Sequence, residues 1–299
     1  DNPFLHEKYA YIKLQREDIF SFHLGLVHQV LWGGEDPYDK ALPFTLENLM
    51  RVAFGMSGGE DASTSDQGAG AGDTFGIWDV GSRIGFDSFD LHFYKHHFFE
   101  DGSGAFKFQN TSDGLWGIAY VPRDPGVLRK IDIEFLNTKH QSGAYHDVSQ
   151  ITGDPEDSDV ILGGRDSYYS NSAYKSGWTH LGHVVGTPFF LTSGSGDELR
   201  IASNRIRALH IGSALSPSDD FGITVKGSFA RHYPPYTQSD ADFFVESGHK
   251  DFFHCLLGIS RRSPLNIDGL MLKVQGAFDV GLDGEFYYGG RIEAEYGIK

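Results

Sequence analysis

The segment from Asp166 to Trp178 concentrates aromatic side chains among small polar residues. Tyr168, Tyr169 and Tyr174 precede Trp178, with serine and asparagine between them. Aromatic faces stack on the C–H surfaces of sugars, while Asp, Asn and Ser side chains hydrogen-bond to sugar hydroxyls. The segment therefore predicts a glycan-binding surface. The alternative is a loop whose rings pack on one another, or an aromatic girdle at a membrane interface.

Two shorter polar motifs contribute further candidate contacts to a polysaccharide. Glu100 and Asp101 precede a Gly-Ser-Gly turn and could hold a cation or bond to sugar hydroxyls. Ca²⁺ takes about six to eight oxygen ligands, more than this motif supplies, so a structural loop is the favoured interpretation. His140 and Gln141 open a second motif, His-Gln-Ser-Gly, and complete the set of candidates.

The histidines do not have the spacing of a metal site. His92 and His96 share one face of an extended chain, but at ~3.3 Å per residue they lie about 13 Å apart. The adjacent His96 and His97 point to opposite faces, so none of these pairs can chelate one ion. We therefore predict no metal and no cofactor.

Paired carboxylates suggest a hydrolase as an alternative. Asp132 and Glu134, like Glu293 and Glu295, are two residues apart on an extended chain, which separates them by about 6.5 Å. Acidic side chains are also ordinary inside a β-barrel. The chain contains no Gly-x-Ser-x-Gly elbow, phosphate loop or dinucleotide fingerprint.

Composition excludes some classes of protein. The 299 residues carry 25 Lys and Arg against 41 Asp and Glu, a net charge of −16, so we expect no nucleic-acid partner. The single cysteine excludes an internal disulfide. No apolar run approaches the ~18 residues of a spanning helix, so membrane insertion would require a β-barrel.

The elements that must position these residues are long strands with a strict period of two. In Gly76–His97, apolar residues alternate with polar ones on both sides of a turn at Asp87-Ser88, which predicts a β-hairpin. Each arm runs about nine to eleven residues, whereas strands of soluble domains average about five to six. Strands of this length, apolar on one face and charged on the other, are typical of transmembrane barrels.

The same pattern recurs along the chain and predicts about eleven to thirteen strands in a single up-and-down antiparallel β-barrel domain over residues 1–299. Short turns alternate with long excursions, as in outer-membrane barrels with periplasmic turns and extracellular loops. Following this polarity back to residue 1 predicts that several N-terminal strands are missing. The remaining strand segments are Lys8–Leu14, Ile19–Leu31, Leu115–Val121, Val127–Leu136, Leu181–Thr192, Leu199–Ala214, Phe221–Arg231, Phe252–Ser260, Leu270–Phe278 and Phe286–Ile298.

The polar faces of these strands carry both signs of charge, as the inside of a barrel does. A Lys or Arg turned to lipid at the bilayer midplane would cost ~2–4 kcal/mol, so these faces must line the lumen if the strands span a membrane. A soluble carbohydrate-binding β-sandwich is the alternative, because it also hides one apolar face. The predicted lumen-facing residues are Asp90, His92, Asp132, Glu134, Lys273, Arg291 and Glu293.

One short helix is expected within the first long excursion. Pro43 near the first turn and Gly55 as the stop signal bracket it, and Leu46, Leu49, Met50 and Ala53 would share its apolar side.

Six segments resemble the capsule-assembly Wzi family, most of all its Bacteroidetes branch. The six segments follow in order through residues 1–190. The later strands resemble those of the family only in their general pattern. They are His6–Leu14, Leu24–Gly34, Phe98–Gly104, Asp113–Tyr120, Asn137–Gly143 and Ser167–Phe189.

The resemblance implies a monomeric outer-membrane barrel of about eighteen strands in a Gram-negative bacterium, closed by helices and inward-folded loops. It implies a lectin-like role without enzyme activity: attaching capsular or other surface polysaccharide to the cell. Expected partners are that polysaccharide, outer-membrane lipid and lipopolysaccharide, with other outer-membrane proteins possible. Two alternatives remain open, a pore or accessory subunit of a transport or secretion complex, and a membrane-bound hydrolase.

Overall fold

The structure is a computed structural model. It describes residues 3–36, 38, 40–56, 58–59, 71–124, 126–143, 166–235, 248–264, 267–282 and 284–297.

Eleven long strands form one antiparallel sheet in which each strand pairs with the next long strand along the chain. This up-and-down order, with short turns at one end and long loops at the other, confirms the predicted all-β barrel architecture. The first and last of the eleven are the two edges of the sheet. The strands are β1 (Phe4–Arg16), β2 (Phe20–Trp32), β3 (Asp73–Gly85), β4 (Phe89–Phe99), β5 (Gly114–Pro122), β6 (Leu128–Asn137), β11 (Ile206–Ser218), β12 (Phe221–His232), β13 (Lys250–Arg262), β14 (Leu270–Gly281) and β15 (Phe286–Tyr296).

The remaining described elements are small and lie in the long loops. Helix α1 spans Leu46–Phe54 and α2 spans Gly102–Ala105, and one 3₁₀ turn covers Gly196–Glu198. No helix in the described part of the chain is long and apolar enough to cross a membrane. Four short strands form two ribbons: β7 (Thr179–His180) with β8 (His183–Val184), and β9 (Leu191–Ser193) with β10 (Arg200–Ser203).

Alternate residues of each strand face a common interior. Side chains from eight successive long strands, β3 to β6 and β11 to β14, line a single cavity, which identifies the concave face of the sheet. Away from α1 and α2, the opposite, convex face carries large exposed apolar side chains. Ile211, Val225, Leu257 and Val274 are 41–52% exposed there. The sheet therefore has a polar inside and an apolar outside.

Helix α1 packs on the convex side of β1 and β2. Thr45 caps its first turn by accepting a hydrogen bond from the Asn48 backbone N–H, and Gly55 ends it in the left-handed conformation at φ 64°. The predicted helix and its stop are confirmed, but the predicted apolar side does not coincide with the side that packs on the sheet. Val52 is the buried residue, packed with Val30, Trp32 and Ala71, and Leu49 lies against this cluster. Leu46, Met50 and Phe54 form an exposed stripe instead.

Two predicted strands do not form as expected. Leu181–Thr192 contributes only the two-residue strand β8 and the first two residues of β9, because its backbone turns at Gly182 and Gly186, both with positive φ. Leu199–Ala214 divides into β10 and β11, which are separated by Asn204-Arg205.

Candidate functional site

The predicted glycan-binding segment lies inside the long-loop end of the barrel wall. Residues 166–204, here called the loop plug, pack against inward-facing residues such as Phe75, Leu136 and Ala208. Tyr168 is completely buried there. The structure thus brings the predicted aromatic residues together, but as a packed interior and not as an exposed surface.

Asp113 is the polar centre that holds the loop plug. It is fully buried at the start of β5, and its Oδ2 accepts hydrogen bonds from the Gln141 backbone N–H at 2.6 Å and the Tyr168 hydroxyl at 3.0 Å. Its Oδ1 accepts from Asn137 Nδ2 at 3.0 Å and the His140 backbone N–H at 3.1 Å. Burial raises the pKa of Asp113, although these hydrogen bonds oppose the shift. One carboxyl group therefore joins the loop before β5 to two separate segments of the connection between β6 and β11.

Two asparagines complete this network around Tyr168. Asn110 Nδ2 donates to the Tyr168 hydroxyl at 2.7 Å and to the Phe98 carbonyl at 2.7 Å. Asn204 Nδ2 donates to the Tyr168 carbonyl at 2.9 Å, so Tyr168 is bonded at both its ring and its backbone. Thr138 Oγ1 also donates, to the Asn204 carbonyl at 2.6 Å.

The other aromatic residues of the loop plug are held by rings and by single hydrogen bonds. Tyr169 stacks on Phe75 with ring centroids 4.2 Å apart and meets Trp178 edge-on at 6.0 Å. Trp178 Nε1 donates to Asp73 Oδ2 at 2.9 Å. The Tyr174 hydroxyl donates to the Gly33 carbonyl at 3.1 Å, which ties the plug to the end of β2.

The polar candidates serve mainly as loop contacts. Asp166 is buried and accepts from the Ser142 hydroxyl at 2.5 Å. Gln141 is also buried, whereas the His140 side chain is exposed. Asp101 Oδ1 accepts from the Gly104 backbone N–H at 3.2 Å and so closes the turn of α2.

The two carboxyl oxygens of Glu100 differ in their hydrogen bonding. Its Oε2 accepts from the Ser167 backbone N–H at 3.0 Å, while its buried Oε1 has no hydrogen-bond partner among the described residues. Burial, followed by the carboxylates of Asp166 and Asp73, raises the pKa of Glu100 well above its ordinary value. A protonated Glu100 is therefore the form that fits this site.

Replacing Glu100 by glutamine should make the docking of the loop plug less dependent on pH. Because the folded pKa of Glu100 is raised, its favourable contribution is complete below the ordinary glutamate pKa and is lost as pH rises through the folded value. Glu100→Gln keeps an acceptor for Ser167 and carries no charge. Amide hydrogen exchange of residues 98–113 and 166–178 at acidic and alkaline pH measures the effect.

Amide exchange is intrinsically faster in alkaline solution. In the wild type, the exchange of these amides should accelerate more than this intrinsic effect requires. In Glu100→Gln the additional acceleration should be absent. Glu198→Gln, which changes an exposed carboxylate on the plug, is the matched control and should behave like the wild type. Equal excess acceleration in Glu100→Gln would show that the Glu100 charge does not oppose docking.

An open cleft of about 810 Å³ lies at the surface of the loop plug. Its floor includes Tyr174 and Trp178, and its rim mixes carboxylates with hydroxyl and imidazole groups. The exposed polar residues of the rim include Glu35, His180 and Asp197. This cleft is where the loop end offers polar groups to a ligand.

All seven predicted lumen residues lie on the concave face. Some form ion pairs there: Asp90 with Arg83 at 3.2 Å and with Arg123 at 2.8 Å, and Lys273 with Glu295 at 2.6 Å. Register pairing places the whole set on this face: Asp90, His92, Asp132, Glu134, Lys273, Arg291 and Glu293.

The carboxylate pairs considered for hydrolysis are engaged with neighbouring groups. Asp132 lies 3.2 Å from Lys130 Nζ, and Glu134 accepts a hydrogen bond from the Tyr94 hydroxyl. The Tyr94 ring reaches Glu134 by lying over Gly117, where a Cβ would come within 2.0 Å of the ring. Within the described ranges, no group of three or more His, Cys, Asp or Glu residues could hold a metal ion.

The residues that organise the site were not selected from the sequence. Asp113 and Asn137 lie in two of the motifs that carry the family resemblance, which is the one signal that could have indicated them. Asn110 and Asn204 lie in loops without a distinctive pattern, and only their partners in the structure show their role.

No family model and no curated protein matches this sequence. Among solved structures, a loop L8 deletion mutant of OmpT, an outer membrane protein of Vibrio cholerae, is 7% identical, with a TM-score of 0.41 over 96% of this chain. The in-vitro folded form of that OmpT is 7% identical, with a TM-score of 0.29 over 93% of this chain. A Pseudomonas aeruginosa FadL homologue is 11% identical, with a TM-score of 0.37 over 97% of this chain.

The chain spans 62%, 46% and 65% of the lengths of these three proteins, respectively. The architecture described above rests on the strand pairing of the chain itself and not on these likenesses.

Proposed function

We propose that this chain forms the wall of an outer-membrane β-barrel that binds or anchors surface polysaccharide in a Gram-negative bacterium. The observation that carries the proposal is the cleft at the long-loop end, which places hydrogen-bonding groups above a rigid aromatic floor. The resemblance to the Wzi family supports the same role, lectin-like and without enzyme activity.

The membrane location is supported by the convex face of the sheet. Large apolar side chains are exposed along the middle of its strands, a surface that a soluble protein would cover. The exposed stripe Leu46, Met50 and Phe54 of α1 lies on the same side, and Lys95 covers the Trp116 ring at 4.0 Å near the long-loop end. Acyl chains and lipopolysaccharide are the partners that match this face.

Further strands complete the barrel. The two edge strands β1 and β15 are exposed along most of their length, and among the described strands each pairs on one side only. Unpaired backbone groups cannot face the hydrocarbon of a bilayer, so an open sheet of this kind needs additional strands between its edges.

Polysaccharide contact at the cleft is expected to use its rim. Trp178 of the floor meets the Tyr169 ring edge-on and donates to Asp73, so it shapes the floor and does not stack on sugar. Glu35, His180 and Asp197 remain exposed and can bond to sugar hydroxyls. We therefore assign the floor a structural role and the rim the binding role.

The double variant Glu35→Gln with Asp197→Asn should weaken polysaccharide binding by about tenfold or more. Each substitution removes a charged hydrogen-bond acceptor, typically worth ~1.5–3 kcal/mol, and a tenfold loss corresponds to ~1.4 kcal/mol. The measurement is the amount of surface polysaccharide that cells release into the medium, together with binding of that extracted polysaccharide to purified protein in nanodiscs.

The control variant is Asp219→Asn with Asp220→Asn, which alters two carboxylates at the opposite, short-turn end of the sheet. It should retain polysaccharide like the wild type. If cells with the rim variant retain as much polysaccharide as the wild type, and the purified variant binds equally well, the cleft is not the binding site.

A further inference from the structure

A second cavity, of about 700 Å³, lies inside the barrel wall beneath the loop plug. Its size falls within the ~300–1,000 Å³ typical of small-molecule sites. Tyr169 and residues 186–191 of the plug form its roof, and inward-facing residues of the strands form its sides. It is separate from the cleft at the plug surface: the plug contributes to both, but no lining residue is common to the two.

One part of this cavity is apolar although it belongs to the polar side of the sheet. The apolar side chains come from neighbouring strands and from the plug, so they form a continuous surface that could cover a hydrocarbon chain. They include Ile77, Phe98, Leu115, Leu136, Phe189 and Leu191.

The anionic groups of the cavity already have partners. Glu134 accepts from the Tyr94 hydroxyl, and Asp279 Oδ1 lies 2.8 Å from His254 Nδ1. His210 Nδ1 is bonded to Ser228 Oγ at 2.6 Å. These contacts engage the carboxylate oxygens within the wall, so they are not free to hold a cation.

Lys226 is different, because its ammonium group has neither a hydrogen bond nor an ion pair in the described part of the chain. It faces inward on β12, and its register partners are Gly212 on β11 and Leu256 on β13. Neither neighbour has a carboxylate of its own, and the Asp132 carboxylate that lies over Gly212 is paired with Lys130 at 3.2 Å. The cavity therefore presents, beside an apolar surface, an exposed ammonium group with which no described residue pairs.

We infer that this cavity binds a single-chain amphipathic carboxylate, with the carboxylate paired to Lys226 and the acyl chain packed against the apolar surface. Charge-assisted hydrogen bonds are the strong ones in such a site, and Lys226 is the cation that can donate them. Burial of the chain under the plug supplies the remaining stabilisation.

Titration of decanoate into the wild-type protein in nanodiscs tests this inference, with empty nanodiscs as background. Decanoate should bind saturably at one site, and Lys226→Met should weaken binding by ~10-fold because a charged hydrogen bond is lost. Decanol, the neutral counterpart, should bind wild type and Lys226→Met equally. Lys273→Met, which changes another inward-facing lysine that lies outside the cavity, should bind decanoate like the wild type.

Ala277→Phe provides a second variant that keeps the charge and fills the cavity from β14. It should abolish saturable binding of both decanoate and decanol. Absence of saturable decanoate binding to the wild type, equal affinity of Lys226→Met, or unchanged binding to Ala277→Phe would each overturn the inference.

Discussion

Replacing Asp113 by alanine should release the loop plug from the barrel wall at a cost of ~3–5 kcal/mol in docking free energy. The substitution leaves the Asn137 amide, the Tyr168 hydroxyl and two backbone N–H groups buried without their acceptor. Each unsatisfied buried donor costs about 1–3 kcal/mol. Because these donors come from segments far apart in the connection between β6 and β11, the loss should spread through the whole loop plug.

Hydrogen exchange and limited proteolysis of the purified protein measure this effect. Amides in residues 137–143 and 166–178 should lose protection in Asp113→Ala, while those of the long strands keep it. Asp124→Ala, which alters an exposed carboxylate near the short-turn end, serves as control and should leave both regions unchanged. Full protection of the plug in Asp113→Ala would exclude Asp113 as its anchor.

Placing arginine at Val274 should destabilise the protein in a bilayer by ~2–4 kcal/mol, because this side chain lies on the convex face near the middle of β14. Arginine at the adjacent Gln275 should have a much smaller effect, since Gln275 faces the interior. The two variants add the same charge at neighbouring positions of one strand. The difference between them therefore reports which face meets lipid.

Equilibrium unfolding of the protein inserted into lipid vesicles gives both free energies. The proposed orientation requires Val274→Arg to have the lower free energy of unfolding. The difference between outward-facing and inward-facing substitutions should be smaller close to the strand ends. Equal stabilities, or a larger loss for Gln275→Arg, would contradict a lipid-facing convex surface.

The two proposed ligand sites differ in the part of the fold that forms them. The cleft with Glu35 and Asp197 is built by loops at the outer end, whereas the cavity at Lys226 is built by strands and roofed by the plug. Loosening the plug by Asp113→Ala should consequently impair both sites. The rim variant and Lys226→Met should each impair only one.

Much of the barrel wall could be predicted from the sequence, because the pattern that identifies a strand lies within a short segment of the chain. Alternation of apolar and polar residues every second position identifies a strand and assigns its two faces without knowledge of any partner. This is why the turn at Asp87-Ser88 and the inward placement of Asp90, Lys273 and Arg291 could be inferred from short segments.

The loops could not be predicted to the same depth, since their structure depends on contacts between residues far apart in the chain. An aromatic cluster such as Tyr168 to Trp178 fits a glycan surface and a packed interior equally well by composition alone. The acceptor at Asp113 and the donors at Asn110 and Asn204 decide between them by burying Tyr168.

The sequence by itself determined the long antiparallel strands, their order of turns and loops, and the polar and apolar faces of each strand. Only the tertiary structure decided that the aromatic segment is an interior plug, that α1 buries Val52, and that Lys226 lines a cavity in which no described residue pairs with it. The physical reason is the range of the interactions. Side-chain alternation acts over two residues, whereas burial and charge pairing in the loops join segments that only the folded chain brings together.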